Sequence, residues 1–201
     1  MTTPGSPPDW ASIGRDLTAR ADTARESWRT PAHRRATEPA EAFAAARKAD
    51  ADNALLLGGI VTRHGWPGRS RVGEDGCRAA VAIAVHADPD RQLQSRILAA
   101  LHAAAQQGEA TPAQWAHVQD RVLVTSGRPQ LYGTQYLFRP DGTGGRLELL
   151  PVVEPDALDR RRAQVGLPPH GEQDGLLRQR HLASLSTPGA PPTQLAERPA
   201  A

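Results

Sequence analysis

Gln130-Leu131-Tyr132-Gly133-Thr134-Gln135-Tyr136-Leu137-Phe138 is where the chain changes character. Upstream, apolar residues recur at spacings of three and four. Here aromatic residues, Leu and Thr crowd together as they do in strands. Pro140-Asp141-Gly142-Thr143-Gly144-Gly145 then reads as a hairpin loop, and residues 146–153 return as the partner strand. A lone two-stranded hairpin is marginal in water, so this one must lie against helices. The fold class is therefore α+β: a mostly helical single domain, about five packed helices with a C-terminal β-hairpin laid across them.

Outward from the hairpin the helices announce themselves by their ends. Asp9 caps a pattern running to residue 29, with Trp10, Ile13, Leu17, Ala21, Ala24 and Trp28 on one face. This first helix is read as a peripheral one. Thr37 and Pro39 open a second that stops at Gly65. Residues 66–76, with three glycines and a proline, read as a loop anchored by Trp66. Residues 77–86 are apolar almost all round, as a central buried helix must be. A fourth helix spans residues 90–107. A fifth opens at Thr111-Pro112-Ala113-Gln114, an N-cap, a proline at the first helical position and a Gln placed for a capping box. A last charged helix is expected at 156–165 and a weak one at 175–185. The ordered domain is placed at residues 9–170, with residues 1–8 and the end of the chain as disordered tails.

Composition narrows the function classes. There are 24 basic and 22 acidic residues in a chain of 201, and the signs are mixed along its length. No dense basic block supports nucleic-acid binding. No apolar run reaches the roughly 18 residues of a membrane span, and the N-terminus lacks a secretory pattern. The reading is a soluble cytoplasmic protein; abundant Arg and Ala suggest a bacterial genome. Cys77 is the single cysteine, which excludes an internal disulfide and a Cys-rich zinc site. It is read as an inert core thiol. The histidines show no short ligand spacing, and none of the familiar nucleotide, hydrolase or metalloprotease motifs occurs. No metal or cofactor is expected.

The candidate chemistry lies in polar residues on faces that ought to be apolar. His86 ends the most buried helix, where the C-terminal dipole and Asp88 favour a proton on its ring. Gln94 shares a stripe with Ile97, Leu98 and Leu101. Asp120 and Arg121 close the fifth helix next to the hairpin, an arrangement suited to an anion clamp held by a carboxylate. In strand alternation Gln130, Tyr132, Thr134 and Tyr136 share one face, while Leu131, Gly133, Gln135 and Leu137 share the other. Leu131 and Leu137 should face the helices. Gly133 then leaves a gap beside Gln135, the mark of a close approach by another group. Each of these residues also has an ordinary structural use: a satisfied core histidine, amides bracing loops, a solvated charged turn.

Together with Gly65-Trp66-Pro67, Val72-Gly73-Glu74-Asp75-Gly76 and His86-Ala87-Asp88, the string Pro129-Gln130-Leu131-Tyr132-Gly133-Thr134-Gln135 resembles the pattern of a bacterial family of unknown function, DUF6624. The resemblance covers residues 58–167 and implies no reaction. The family commonly has Gln where this chain has Val85.

The reading that follows is a binder of a small polar or anionic molecule in a pocket between helices and hairpin. His86, Asp120 and Arg121 would be catalytic, with His86 the acid/base group. Gln94, Gln130, Tyr132, Thr134 and Gln135 would orient the ligand. The alternative is a non-catalytic interaction module whose polar residues brace the fold, with Trp10 and Trp28 on an exposed helix face.

Overall fold

The computed structural model describes residues 7–29, 39–88, 90–139 and 145–186. Residues 1–6 of the expected N-terminal tail, the link at 31–37, the hairpin loop at 140–144 and the tail from 187 onward lie outside the described residues. Among the described residues seven helices and one hairpin follow in the order α1 (Trp10–Arg29), α2 (Ala40–His64), α3 (Arg69–Val85), α4 (Arg91–Gln106), α5 (Pro112–Thr125), β1 (Tyr136–Arg139), β2 (Arg146–Leu149), a 3-10 turn (Pro155–Ala157), α6 (Leu158–Gln164) and α7 (His170–Ser186). The fold is α+β, as its sequence implies.

The all-round apolar stretch becomes the central helix. On α3, Ala79, Ala80, Val81, Ala82, Ile83 and Ala84 are all buried, and Leu17, Leu57, Ile97, Leu101 and Val118 close around them from α1, α2, α4 and α5. Full burial of a Leu or Ile side chain is worth about 1.5–3 kcal/mol relative to exposure, so this shell is the main source of cohesion. The first helix is not peripheral. Leu17 and Ala21 are fully buried, and Gly14 brings α1 so close to α3 that a Cβ there would lie 2.6 Å from the Val72 carbonyl oxygen. Trp10 and Trp28 are half-buried against the core rather than forming an exposed patch.

Three boundaries differ from the sequence reading. α3 begins at Arg69, inside the expected loop, and Gly73 (φ 76°, ψ 170°) breaks its geometry before the buried run. Glu109 supplies the missing cap from far along the chain: its carbonyl accepts from Arg69 N at 2.9 Å and its Oε2 from Ser70 N at 3.0 Å. The weak terminal helix is instead 17 residues long and starts at His170. The strand starts at Tyr136, so residues 130–135 are a loop. Tyr136 pairs with Leu149 and Phe138 with Leu147 in the antiparallel register. Leu137, expected to face the helices, is 38% exposed, while Tyr136 and Phe138 turn inward. The left-handed turn at Gly133 (φ 65°) interrupts the alternation and resets its phase.

Two of the expected helix starts are formed with their caps. Thr111 and Gln114 make the reciprocal capping box at 3.1 and 2.8 Å, and Asp90 accepts from Leu93 N at 2.8 Å. Trp66 is buried, as expected of a loop anchor. Cys77 is buried too, and burial pushes its thiol above the ordinary value, which suits an inert core residue.

Candidate functional site

The loop 130–135 lacks a strand partner along most of its length, so its backbone must be satisfied by side chains. Asp120, fully buried on α5, accepts from Leu131 N (2.8 Å), Tyr132 N (3.1 Å), Thr134 N (3.1 Å) and Thr134 Oγ1 (3.0 Å). Burial pushes its carboxyl upward, against the pull of those donors. Gln130, also fully buried, receives Gln135 N at 2.8 Å and donates to the carbonyls of Gln135 and Leu150, each at 2.9 Å. From the other side Arg161 donates to the Leu131 carbonyl at 2.9 Å, and Arg162 to the Tyr132 carbonyl. Gln135 donates to Thr134 Oγ1 at 3.1 Å. The Tyr132 ring packs edge-on against Trp115. Asp120, Gln130, Thr134 and Gln135 thus form one network, and it holds a loop.

His86, Gln94 and Arg121 belong to a second group, at the turn between α3 and α4. Arg121 makes a two-pronged ion pair with Asp88, one arm at 2.9 Å. The expected clamp in which Asp120 holds Arg121 is therefore not formed: neighbours on a helix point 100° apart, and Asp120 faces the loop. Gln94, buried, donates to the Ala84 carbonyl and to Asp88 Oδ1, both at 3.3 Å. The His86 ring stacks flat on Trp28, centroids 4.2 Å apart, and Trp28 donates to Asp50 at 2.7 Å. This group ties α1 to the C-terminal end of α3.

A third group was not read from sequence. The Tyr136 hydroxyl lies 2.9 Å from His170 Nε2, with the two rings nearly parallel. Gly133 makes room for that imidazole: a Cβ on it would meet His170 Cδ2 at 3.1 Å. The close approach that a glycine in this string suggested is made by His170. Asp159 accepts from His170 N at 2.6 Å and fixes the start of α7. Burial, then the charge of Arg162, pushes the His170 imidazole below its ordinary value. Burial, then the charge of Asp174, raises the Tyr136 phenol. Both rings are therefore neutral at neutral pH. Asp174 lies beside the Tyr136 hydroxyl, and its Oδ2 accepts from Arg178 at 2.7 Å. His170 follows Gly166-Leu167-Pro168-Pro169, which reads as the end of a domain; a Pro-Pro pair followed by Glu172 is equally a helix start. Among the described residues no cluster of three or more His, Cys, Asp or Glu side chains is arranged to hold a metal ion.

These features define a helical α+β protein in which a side-chain-held loop and hairpin are closed off by a C-terminal helix. The chain belongs to a family of unknown function (DUF6624), whose model matches residues 15–182, from α1 well into α7. No curated protein and no solved structure matches the chain. No helix among the described residues is long and apolar enough to cross a membrane.

Proposed function

We propose that the protein binds a small polar molecule between the hairpin and α7, with His170 and Tyr136 as an acid/base pair. The Tyr136 Oη to His170 Nε2 contact of 2.9 Å beside Gly133 carries this reading. A neutral imidazole can take a proton from a ligand hydroxyl, with the Tyr136 hydroxyl giving up its contact with Nε2 to bond the same molecule. Asp174, beside the Tyr136 hydroxyl, adds a further acceptor, so a ligand that carries a hydrogen-bond donor suits the place. His86 is less suited to the role, because its ring lies flat on Trp28. Asp120 and Gln130 act here as positioning residues, since their hydrogen bonds go to the loop that presents Gly133.

A thermal-shift screen of the full chain against a metabolite library tests this reading, repeated on His170→Gln and Tyr136→Phe. A ligand that stabilises the parent and is weakened at least tenfold by both substitutions supports it. Ligands that bind both variants undiminished, or a screen in which no compound stabilises the parent, count against it.

A further inference from the structure

Among the described residues Arg162 is the largest fully buried side chain, and nothing in the sequence sets it apart from its exposed neighbour Arg160. Its three nitrogens donate to the carbonyl of Pro168 at 2.7 Å, to the carbonyl of Tyr132 and to Oε1 of Gln173. All three acceptors are neutral. Among the described residues no carboxylate forms an ion pair with it. A buried guanidinium with no carboxylate in contact is costly, and here Asp159 and Asp120 offset its charge only from a distance. That charge is felt nearby: it is among the causes that lower both His117 and His170.

Two of the acceptors are backbone oxygens and belong to the frame. The third is a side-chain amide on α7, whose described side chains reach the body mainly through polar groups. Among its described side chains Leu177 is the buried apolar one, while Leu176 and Leu182 are 47% and 62% exposed. Its other ties to the body are polar: Tyr136 to His170, Asp159 to His170 N, and Arg178 to the Leu147 carbonyl at 3.0 Å. A helix held mainly by polar contacts belongs to the part of a protein that opens first.

We infer that Arg162 is a concealed oxyanion site gated by α7, in which the Gln173 amide oxygen occupies the place of a ligand oxygen. When α7 lifts, His170 moves with it and the outer Nη2 is freed for a carboxylate or phosphate group of the ligand beside Tyr136; His170 reaches that ligand as the helix settles back. This rests on the binding reading above and adds to it the charge of the ligand and the helix that admits it. A guanidinium offering a free edge to an oxyanion forms charge-assisted hydrogen bonds about twice as strong as the neutral bond it replaces.

The test uses the full chain as parent, Gln173→Ala and Gln173→Glu, titrated with inorganic phosphate by calorimetry at low salt, with amide exchange of α7 read in parallel. Removing the amide should tighten phosphate binding at least tenfold over the parent and speed exchange in α7. The tethered carboxylate of Gln173→Glu should slow that exchange and abolish phosphate binding. Equal phosphate affinity in all three proteins overturns the inference, as does an absence of binding in Gln173→Ala. Because Gln173 is not part of the acid/base pair, this series can fail while the His170 and Tyr136 variants still lose their ligand, and the reverse.

Discussion

Asp120 does for residues 131–134 what a neighbouring strand does for a strand: it receives their N–H groups. Replacing it with Asn keeps the shape but sets an NH2 against backbone donors. Asp120→Asn should cost about 3 kcal/mol, from lost charge-assisted bonds and donors left unpaired; urea unfolding measures it. At Gly133 the penalty has another origin. Gly133→Ala places a Cβ at φ 65° and 3.1 Å from His170, so we expect a loss of about 1–2 kcal/mol together with a displaced imidazole, seen as a shift of the His170 ring resonances. Part of this was legible in the sequence. A Gly within a polar, aromatic string signals close approach, and Asp120 was singled out beside it. What it approaches was not legible, because His170 lies 37 positions away behind a Pro-Pro break. Arg161 and Arg162 escaped notice for a similar reason: three consecutive arginines on a short helix read as a solvated face.

Helix α3 shows how far local signals reach at the scale of elements. Its buried run is written in the sequence, since seven successive apolar residues, 79–85, leave it no polar face. Its first turn is not, since the cap comes from Glu109 across the fold. Glu109→Ala should cost about 1 kcal/mol, the usual worth of an N-terminal cap, and should raise amide exchange at residues 70–72 while leaving residues 79–84 protected. The hairpin teaches the complementary lesson. Its existence followed from turn chemistry, but its facing did not, because one left-handed glycine shifts the phase of every residue after it. Helix α7 carries little apolar periodicity on its own and is fixed by polar partners on the hairpin and α6, so its length was the least legible feature.

For the whole molecule, two imidazoles couple stability to pH. Burial, then the charge of Arg162, pushes His117 down to about 4 from an ordinary value of 6.5, and His170 is shifted the same way. Between those values the unfolded chain binds protons that the folded chain does not. Stability therefore rises with pH across this window and is lost as pH falls from about 6.5 towards 4. His117→Gln should flatten that dependence in thermal unfolding measured from pH 4 to 7, and an unchanged slope would speak against an imidazole held neutral in the folded protein. The α5 helix that carries His117 also separates the two polar groups that the sequence had joined, Asp120 facing the loop and Arg121 facing Asp88. The hairpin and α7 then offer a third, and the functional reading turns on it. Chemical-shift mapping of the full chain with any library compound that stabilises it tests that choice most directly. The account predicts that the largest perturbations fall on Gly133, Tyr136 and His170. Perturbations centred instead on His86, Asp88 and Arg121 would contradict it.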